Sequence, residues 1–164
     1  MTFSVQLQTK RLLLGPLRGR DAWFFYRLIG NPGVRKYLGG PVGRRQRLRQ
    51  FKRYLNAPAH VGIWVVRLAK GGQPVGVIEL GPHKDGESYE VSYQFAPAFW
   101  GQGYAREALE AIVSHALDNV GLDRVVAETQ SANIASCKVL RSGGMVEIER
   151  LRRFGAEQII FSIP

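Results

Sequence analysis

The stretch YEVSYQFAPAFWGQGYAREALEAIV, residues 89–113, decides the fold of this chain. Polar and apolar side chains alternate over its first seven residues, which predicts a β-strand, whereas from Ala105 on the apolar residues recur with the period of an α-helix. Gly101 and Gly103 lie where that helix begins. A helix start leaves several backbone N–H groups unpaired at the positive end of the helix dipole, and glycine lets an anion reach them. The stretch therefore predicts either an anion-binding turn or a tight structural turn.

On both sides of this stretch the sequence predicts further short strands and helices. Strands are predicted over residues 11–17, 63–69, 74–80, 124–129, 145–151 and 158–163, and helices over residues 21–28, 44–55 and 133–141. The strands between residues 63 and 95 are joined by short turns and form an antiparallel meander. We predict an α/β (α+β) fold with a mixed, mainly antiparallel central sheet of about six to seven strands flanked by about four helices, and residues 1–164 as a single domain.

The composition excludes several classes of protein. Of the 164 residues, 45% are hydrophobic and 22% are charged, which argues against disorder, collagen and a coiled coil. Cys137 is the only cysteine and the three histidines are scattered, so we expect neither a disulfide nor a metal site. The N-terminal residues resemble neither a signal peptide nor a membrane span, so we expect a cytoplasmic protein with no membrane partner.

The positive charge is concentrated in the first part of the chain. The net charge is +10, and residues 1–60 contain 13 basic residues against the single acid Asp21. Between residues 44 and 53, basic residues alternate with apolar ones at helical spacing, which predicts an amphipathic helix with a basic outer face. Such a face is either a solvated surface or a docking surface for nucleic acid, a ribosome or an acidic substrate. No aromatic residues alternate with the arginines, so sequence-specific RNA reading is not expected.

Four segments together resemble a known family. They are TKRLLLGPL (residues 9–17), PVGVIEL (74–80), YEVSYQFAPAFWGQGYAREAL (89–109) and NIASCKVLRSGGM (133–145). In this order they resemble the GCN5-related N-acetyltransferase (GNAT) superfamily, and most closely its RimJ/RimL-type branch. The resemblance implies an acyl-CoA N-acyltransferase, in which a primary amine attacks the thioester of acetyl-CoA directly in a ternary complex. The amine would belong to a protein N-terminus, as in ribosomal-protein acetylases, or to a small molecule. The alternative is a non-catalytic CoA-binding domain or a basic domain that interacts with RNA or the ribosome.

The resemblance also implies where the coenzyme would bind. Backbone amides would hold the CoA pyrophosphate over a run that comprises Gly101, Gln102, Gly103, Tyr104, Ala105 and Arg106. The strand before the turn would supply a backbone N–H, around Tyr93 to Phe95, to the oxygen that becomes negative. Asn133 and Ser136 would lie near the pantetheine arm, with a helix cap and a surface serine as the respective alternatives. Trp100 departs from the family signature, which usually has Gln or Arg at that position.

The chain departs from the family at the residue that would donate a proton to the departing thiolate. Many members have a tyrosine seven residues after the asparagine, but Leu140 occupies that position here. Ser136 is then the nearest replacement, with water as the alternative. Cys137 has no histidine at a suggestive spacing, so we expect it in the core and not as a nucleophile.

Two acids on the central strands are candidates for the general base. Glu90 lies on the polar face of its strand, whereas Glu79 shares a face with Val75 and Val77. A carboxylate on an apolar face is costly unless it is paired or functional, so both a catalytic role and a salt bridge to an arginine stay open. An α-amine is partly neutral near pH 7, so such an acceptor would need no strong base.

The nature of the acceptor follows from the charge distribution. In the family that the chain resembles, the two early helices border the acceptor groove, and here they contain most of the positive charge. We therefore expect an acceptor amine of acidic character, or one that is ribosome-associated. The oligomeric state stays open, with Trp64 and Phe154 as the residues that could join two copies into a homodimer.

Overall fold

A computed structural model of the chain describes residues 3–163, and these residues form one mixed sheet with helices on both of its faces. The strand order across the sheet is β1-β2-β3-β4-β5-β6-β8-β7. The strands are β1 (Leu7–Gln8), β2 (Leu12–Pro16), β3 (Gly62–Leu68), β4 (Pro74–Pro82), β5 (Tyr89–Phe95), β6 (Val125–Gln130), β7 (Val146–Arg153) and β8 (Ala156–Ile163).

Five α-helices accompany the sheet in the described part of the chain. They are α1 (Ala22–Ile29), α2 (Pro32–Arg35), α3 (Arg44–Leu55), α4 (Tyr104–Ser114) and α5 (Ile134–Ser142), and a π-helical segment, His115–Val120, continues α4. Between residues 3 and 163, no helix has both the length and the apolar character that crossing a bilayer requires. The predicted mixed α/β class, with its mainly antiparallel sheet, is confirmed.

The sheet and the helix set are each slightly larger than predicted. The additional strand, β1, has only two residues, which is too short for any periodicity to show. The additional helix, α2, begins where Asn31-Pro32 suggests a helix end. The Asn31 side chain accepts a hydrogen bond from the Val34 N–H at 3.1 Å, and Pro32 occupies the first helical position, so both residues start a helix here.

Two neighbouring strands, β5 and β6, separate partway along their length. Strands β5 and β6 are parallel, and their ladder contains only the positions Tyr89↔Val125 and Glu90↔Val126. On its other side β5 stays paired with β4 as far as Phe95. A parallel pair needs a crossover connection, and α4 supplies it. Beyond Glu90 the two strands diverge, which leaves a gap between their C-terminal ends.

Two hydrophobic cores lie on opposite faces of the sheet. The larger includes side chains of α4 and α5, such as Leu109, and the smaller includes side chains of α1 and α3, such as Phe25 and Phe51. Trp64 is fully buried in the larger core, where its indole N–H donates to the Val5 carbonyl at 2.7 Å. The prediction that Trp64 could join two copies was therefore wrong, because its side chain points inward from β3.

Asp21, the first residue of the helix predicted over residues 21–28, lies just before the observed helix α1. Its carboxylate accepts a hydrogen bond from the Arg18 N–H at 2.9 Å and pairs with Arg67 of β3. Asp21 therefore closes a 3-10 turn before α1 and ties that turn to the sheet, and its side chain does not cap α1.

The sequence predicts that Glu79 shares a face of its strand with Val75 and Val77, and this is correct only for Val77. Val77 lies in the smaller core, but Val75 lies in the larger one. The register between β3 and β4 shifts near Val75, because Val66 faces Gly76 and the next residue of β3 faces Pro74. This irregularity interrupts the two-residue alternation on which the prediction depended.

Candidate functional site

The gap between β5 and β6 leaves main-chain groups of β5 without a strand partner. On the β4 side, the Ala96 N–H donates to the Val75 carbonyl at 2.9 Å. Main-chain groups alternate sides along a strand, so those of Tyr93 and Phe95 point the other way, into the gap. The Trp100 indole N–H donates to the Phe95 carbonyl at 2.7 Å. The N–H groups of Tyr93 and Phe95 are left as hydrogen-bond donors that face the gap.

The start of α4 presents a second set of free amides. Gly103 is the N-cap residue, with φ of 81°, and no side chain caps the helix. The Glu107 N–H donates to the Gly103 carbonyl at 3.1 Å, while the amides of Tyr104, Ala105 and Arg106 have no partner within residues 3–163. Gly101 has φ of 73°, and a β-carbon there would meet no atom within 4 Å. The turn is therefore open to an anion at the positive end of the helix dipole.

A cavity of about 700 Å³ joins the turn to the gap. The residues predicted for coenzyme binding that line it are Tyr93, Phe95, Gly101, Gly103, Tyr104, Ala105, Arg106, Asn133 and Ser136. Three predicted site residues, Gln102, Glu79 and Glu90, are not in its wall. The Gln102 side chain points away from the cavity, because its amide donates to the Ala98 carbonyl at 3.0 Å.

Asn133, Ser136 and Tyr93 form a small polar group in the cavity wall. Asn133 is the N-cap of α5, and its side chain accepts a hydrogen bond from the Ser136 N–H at 3.2 Å. The Ser136 Oγ lies 3.0 Å from the Tyr93 hydroxyl. Burial raises the pKa of Tyr93 to about 12, so this phenol keeps its proton at neutral pH. The sequence did not indicate that the Tyr93 hydroxyl lies beside Ser136, because this strand and this helix meet only in the fold.

Three carboxylates lie near one another on the face of the sheet that carries α1 and α3. In the β4–β5 register Glu79 faces Ser92 and Gly81 faces Glu90, which places both glutamates on this face. Burial raises the pKa of Glu90 above its usual value. The charges of Glu128 and Glu79 reinforce this shift, whereas the charge of His83 and a hydrogen bond from the Glu128 backbone oppose it. Glu90 is therefore a carboxylate that burial holds more readily in its protonated form.

Glu128 was not among the residues predicted from the sequence, yet it lines the cavity, whereas Glu79 and Glu90 do not. Its carboxylate accepts a hydrogen bond from the Arg153 Nε at 2.7 Å, and the buried His83 Nε2 lies 3.4 Å from its other oxygen. Partial burial alone would raise the pKa of Glu128, but the hydrogen bonds from Arg153 and His83 lower it overall. These three residues come from separate strands and turns, so no sequence spacing indicates the group.

The structure also shows the surroundings of three other side chains that the sequence analysis named. Glu79 lies beside the Tyr54 hydroxyl of α3, and burial, followed by the charge of Glu79, raises the pKa of Tyr54. Arg106 is exposed and donates to Glu110 at 2.7 Å, so part of its charge is already paired. Cys137 is buried in the larger core, and burial raises the pKa of its thiol, as expected of a core cysteine. No cluster of three or more His, Cys, Asp or Glu suited to a metal ion occurs within residues 3–163.

The outer wall of the cavity leads to the basic helix. Gly33 and Val34 of α2, with Lys36, Tyr37 and Leu38 of the loop that follows, line the cavity, and this loop leads on to α3. The exposed basic residues of α3 form no ion pair with any acid among residues 3–163; they are Arg44, Arg45, Arg49, Lys52 and Arg53. The loop in the cavity wall is therefore followed in the chain by a helix with a solvent-facing cationic surface.

The arrangement as a whole suits acyl transfer. It combines an anion site, main-chain donors for a developing oxyanion, a protonated phenol with a hydroxyl beside it, and a carboxylate whose pKa is raised. All of these groups line one cavity except Glu90, which lies behind Glu128 on the opposite face of the sheet. A nucleophile and an activated acyl group could therefore enter from different sides.

Comparison with known proteins identifies the type of domain. The family model described as "Acetyltransferase (GNAT) domain" matches residues 11–146. The FsC-acetyl coenzyme A-N(2)-transacetylase of Aspergillus fumigatus is 32% identical in an alignment that covers 91% of this chain and 69% of that protein.

Solved structures share the fold at lower identity. A GNAT-family acetyltransferase from Bacillus anthracis has a TM-score of 0.85 at 21% identity, with 97% of this chain and 98% of that chain covered. The spermidine N-acetyltransferase of Vibrio cholerae, solved with CoA and spermine, has a TM-score of 0.81 at 20% identity and coverages of 94% and 96%. The ribosomal-protein-S5-alanine acetyltransferase of Vibrio fischeri has a TM-score of 0.75 at 17% identity and coverages of 97% and 96%.

Proposed function

The chain belongs to the GNAT acetyltransferase family, and from that premise we propose that it acetylates a primary amine carried by an acidic or ribosome-associated acceptor, in the manner of the RimJ/RimL-type branch. It is an N-acetyltransferase, and acetyl-CoA is its co-substrate. The observation that carries the proposal is the cavity in the β5–β6 gap, which joins the free amides of α4 to the carboxylate of Glu128.

The residues at the α4 start fit the coenzyme. Two glycines with positive φ keep side chains out of the turn, and the amides of Tyr104, Ala105 and Arg106 can bind the oxygens of a pyrophosphate. The cavity continues from this turn past Asn133 and Ser136 to Tyr93, which gives a pantetheine arm a path into the gap. When bound, acetyl-CoA supplies an acetyl group activated as a thioester.

The chain then supplies three chemical functions around the thioester. The free N–H groups of Tyr93 and Phe95 in the gap are suited to stabilise the oxyanion. The Tyr93 hydroxyl, with Ser136 at 3.0 Å, is suited to donate a proton to the leaving sulfur. Glu90, whose pKa is raised by burial, is suited to take a proton from the attacking ammonium group, with Glu79 as the alternative base. Water would link Glu90 to the amine, because Glu90 does not line the cavity.

The acidic group near the gap and the basic surface of α3 together support an acceptor whose amine is attached to a negatively charged molecule. The carboxylates of Glu79, Glu90 and Glu128 favour the ammonium group itself. The unpaired arginines of α3, the helix that follows the loop in the cavity wall, would favour negative charge farther along the acceptor. A peptide N-terminus with acidic neighbours, or one presented on ribosomal RNA, satisfies both surfaces.

The test compares acceptors at increasing ionic strength. Peptides with the same N-terminal residue, followed by acidic or by neutral residues, are assayed for acetyl transfer beside spermidine at low and high salt. We expect a higher kcat/KM for the acidic peptide, and we expect the advantage to shrink as salt screens the α3 surface. Equal rates for all three acceptors, unaffected by salt, would contradict the proposed acceptor.

A matched pair of variants locates the effect on α3. Arg45→Gln with Arg49→Gln removes two exposed charges from α3, and Lys70→Gln with Arg152→Gln removes two exposed charges elsewhere. The net charge changes equally in both, so only the first pair should abolish the preference for the acidic peptide. Tight RNA binding without acetylation of any amine would indicate a docking role instead.

A cytoplasmic location and a homodimer complete this proposal. Phe154, in the β7–β8 turn, is 65% exposed and is the predicted contact residue that remains on the surface. Sedimentation of the wild type and of Phe154→Ser tests the homodimer.

A further inference from the structure

The β1–β2 turn contacts the glycine turn that begins α4, although the two are about ninety residues apart. Arg11, from the segment TKRLLLGPL, is the residue that bridges them. Its backbone N–H donates to one oxygen of Glu107 at 2.9 Å, and its Nε donates to the other at 2.6 Å. The Thr9 hydroxyl donates to the first of these oxygens at 2.5 Å. Glu107 therefore fixes the base of the Arg11 side chain against the first turn of α4.

The outer part of the same side chain reaches the main chain of the glycine turn. Its Nη1 donates to the Gln102 carbonyl at 2.9 Å, and the guanidinium carbon lies 4.6 Å from the centre of the Tyr104 ring. Its Nη2 would lie 3.3 Å from a β-carbon on Gly103. The side chain thus packs along the turn and is held at both ends.

The hydrogen bond to Gln102 has a consequence for the next amide. A peptide unit is planar and trans, so fixing the direction of the Gln102 carbonyl also fixes the Gly103 N–H on the opposite side of the unit. Glycine explores backbone conformations widely, and the turn has Gly101 with φ of 73° and Gly103 with φ of 81° on either side of this residue. Without an external hydrogen bond, the peptide between Gln102 and Gly103 would be free to rotate.

We propose that Arg11 is a positioning residue for the coenzyme: by holding the Gln102 carbonyl it keeps the glycine turn in the conformation that binds pyrophosphate. This inference rests on the proposed placement of the CoA pyrophosphate at the α4 start. Arg11 acts through the main chain of the turn and is remote from the thioester end of the cavity, so its effect falls on coenzyme affinity and leaves the chemical step unchanged.

The test uses two acetyl donors that differ in the part the turn would bind. Acetyl-CoA contains the pyrophosphate, whereas S-acetylpantetheine has the same thioester and lacks it. For Arg11→Gln we expect the KM for acetyl-CoA to rise about tenfold or more, the size of effect of a hydrogen bond to a charged group, with kcat nearly unchanged. The KM for S-acetylpantetheine should stay at the wild-type value. A merely structural role would alter both donors alike.

Two further variants control the experiment. Lys10→Gln removes the same charge from the neighbouring residue, which is exposed, and should leave both KM values unchanged. Arg11→Lys keeps the charge but cannot bridge Glu107 and Gln102 together, so it should show an intermediate, donor-selective rise. It also provides the measurement if Arg11→Gln folds poorly.

The outcomes distinguish this inference from the proposed binding site. If substituting Gly103 raises the KM for acetyl-CoA and substituting Arg11 does not, the positioning role is wrong and the site stands. If neither substitution changes that KM, the pyrophosphate binds elsewhere and both ideas are wrong. A rise for both donors in Arg11→Lys would also overturn the positioning role.

Discussion

Replacing Gly103 with alanine tests the coenzyme site with one methyl group. Gly103 has φ of 81°, and the new β-carbon would lie 3.3 Å from the Arg11 Nη2. The left-handed backbone costs an L-residue about 1–2 kcal/mol, so either the protein loses that much stability or the turn changes its conformation. If the change removes one hydrogen bond to a charged pyrophosphate, worth about 1.5–3 kcal/mol, the KM for acetyl-CoA rises about 10- to 150-fold.

Gly121→Ala is the matched control for this substitution. Gly121 has φ of 80° and open space around its β-carbon position, and it lies at the opposite end of the same helical segment. Both variants should lower the melting temperature by about 2–8 °C, because they impose the same backbone cost. Initial rates of CoA release, measured against acetyl-CoA concentration at saturating acceptor, should change only for Gly103→Ala. Equal KM values for the two variants would refute a coenzyme site at the α4 start.

Four other substitutions test separate parts of the site and fold. Tyr93→Phe should lower kcat about tenfold or more at unchanged KM for acetyl-CoA if the phenol donates the proton, and an unchanged kcat would exclude that role. Glu90→Gln should lower kcat/KM about 100-fold. It should also remove the fall in rate at acid pH, and in the wild type this fall should occur at a higher pH than for an ordinary carboxyl group, because burial raises the pKa of Glu90. If Glu79→Gln shows this loss and Glu90→Gln does not, Glu79 is the base. Phe154→Asn should raise the free energy of unfolding by about 0.5–1 kcal/mol in a denaturant titration. Phe154 has φ of 55° and precedes Gly155 in a tight turn, where asparagine adopts positive φ more easily than phenylalanine. A decrease would mean that the contact of Phe154 with Lys84 stabilises the fold by more than its backbone strain costs.

The fold was largely predictable because its long elements have clear periods. Helix α4 and the meander from β3 to β5 follow directly from the spacing of apolar residues. What was missed is either short or irregular. Strand β1 has too few residues to show a period, and the register shift at Val75 moves one side chain to the other core without any mark in the sequence.

The candidate site was predictable only where a local segment forms it. The glycine turn and Asn133 with Ser136 lie within short segments, and the structure places them around one cavity. The Glu128, His83 and Arg153 group and the bridge from Arg11 to Glu107 join distant parts of the chain. Such pairings depend on which strands become neighbours, and single-sequence periodicity contains no information about that.

The role of main-chain groups explains why the sequence signal is weak where the chemistry is concentrated. An N–H group is the same in every residue except proline, so both the anion site and the oxyanion donors can be built from many sequences. What the sequence must specify is conformation: positive φ at Gly101 and Gly103, and a strand pair that separates after Glu90. Changing the side chain at Gln102 should accordingly matter less than adding one methyl group at Gly103, although Gln102 has the larger side chain. If the proposed site is correct, the geometry of this turn, and not the identity of its side chains, sets the affinity for the coenzyme.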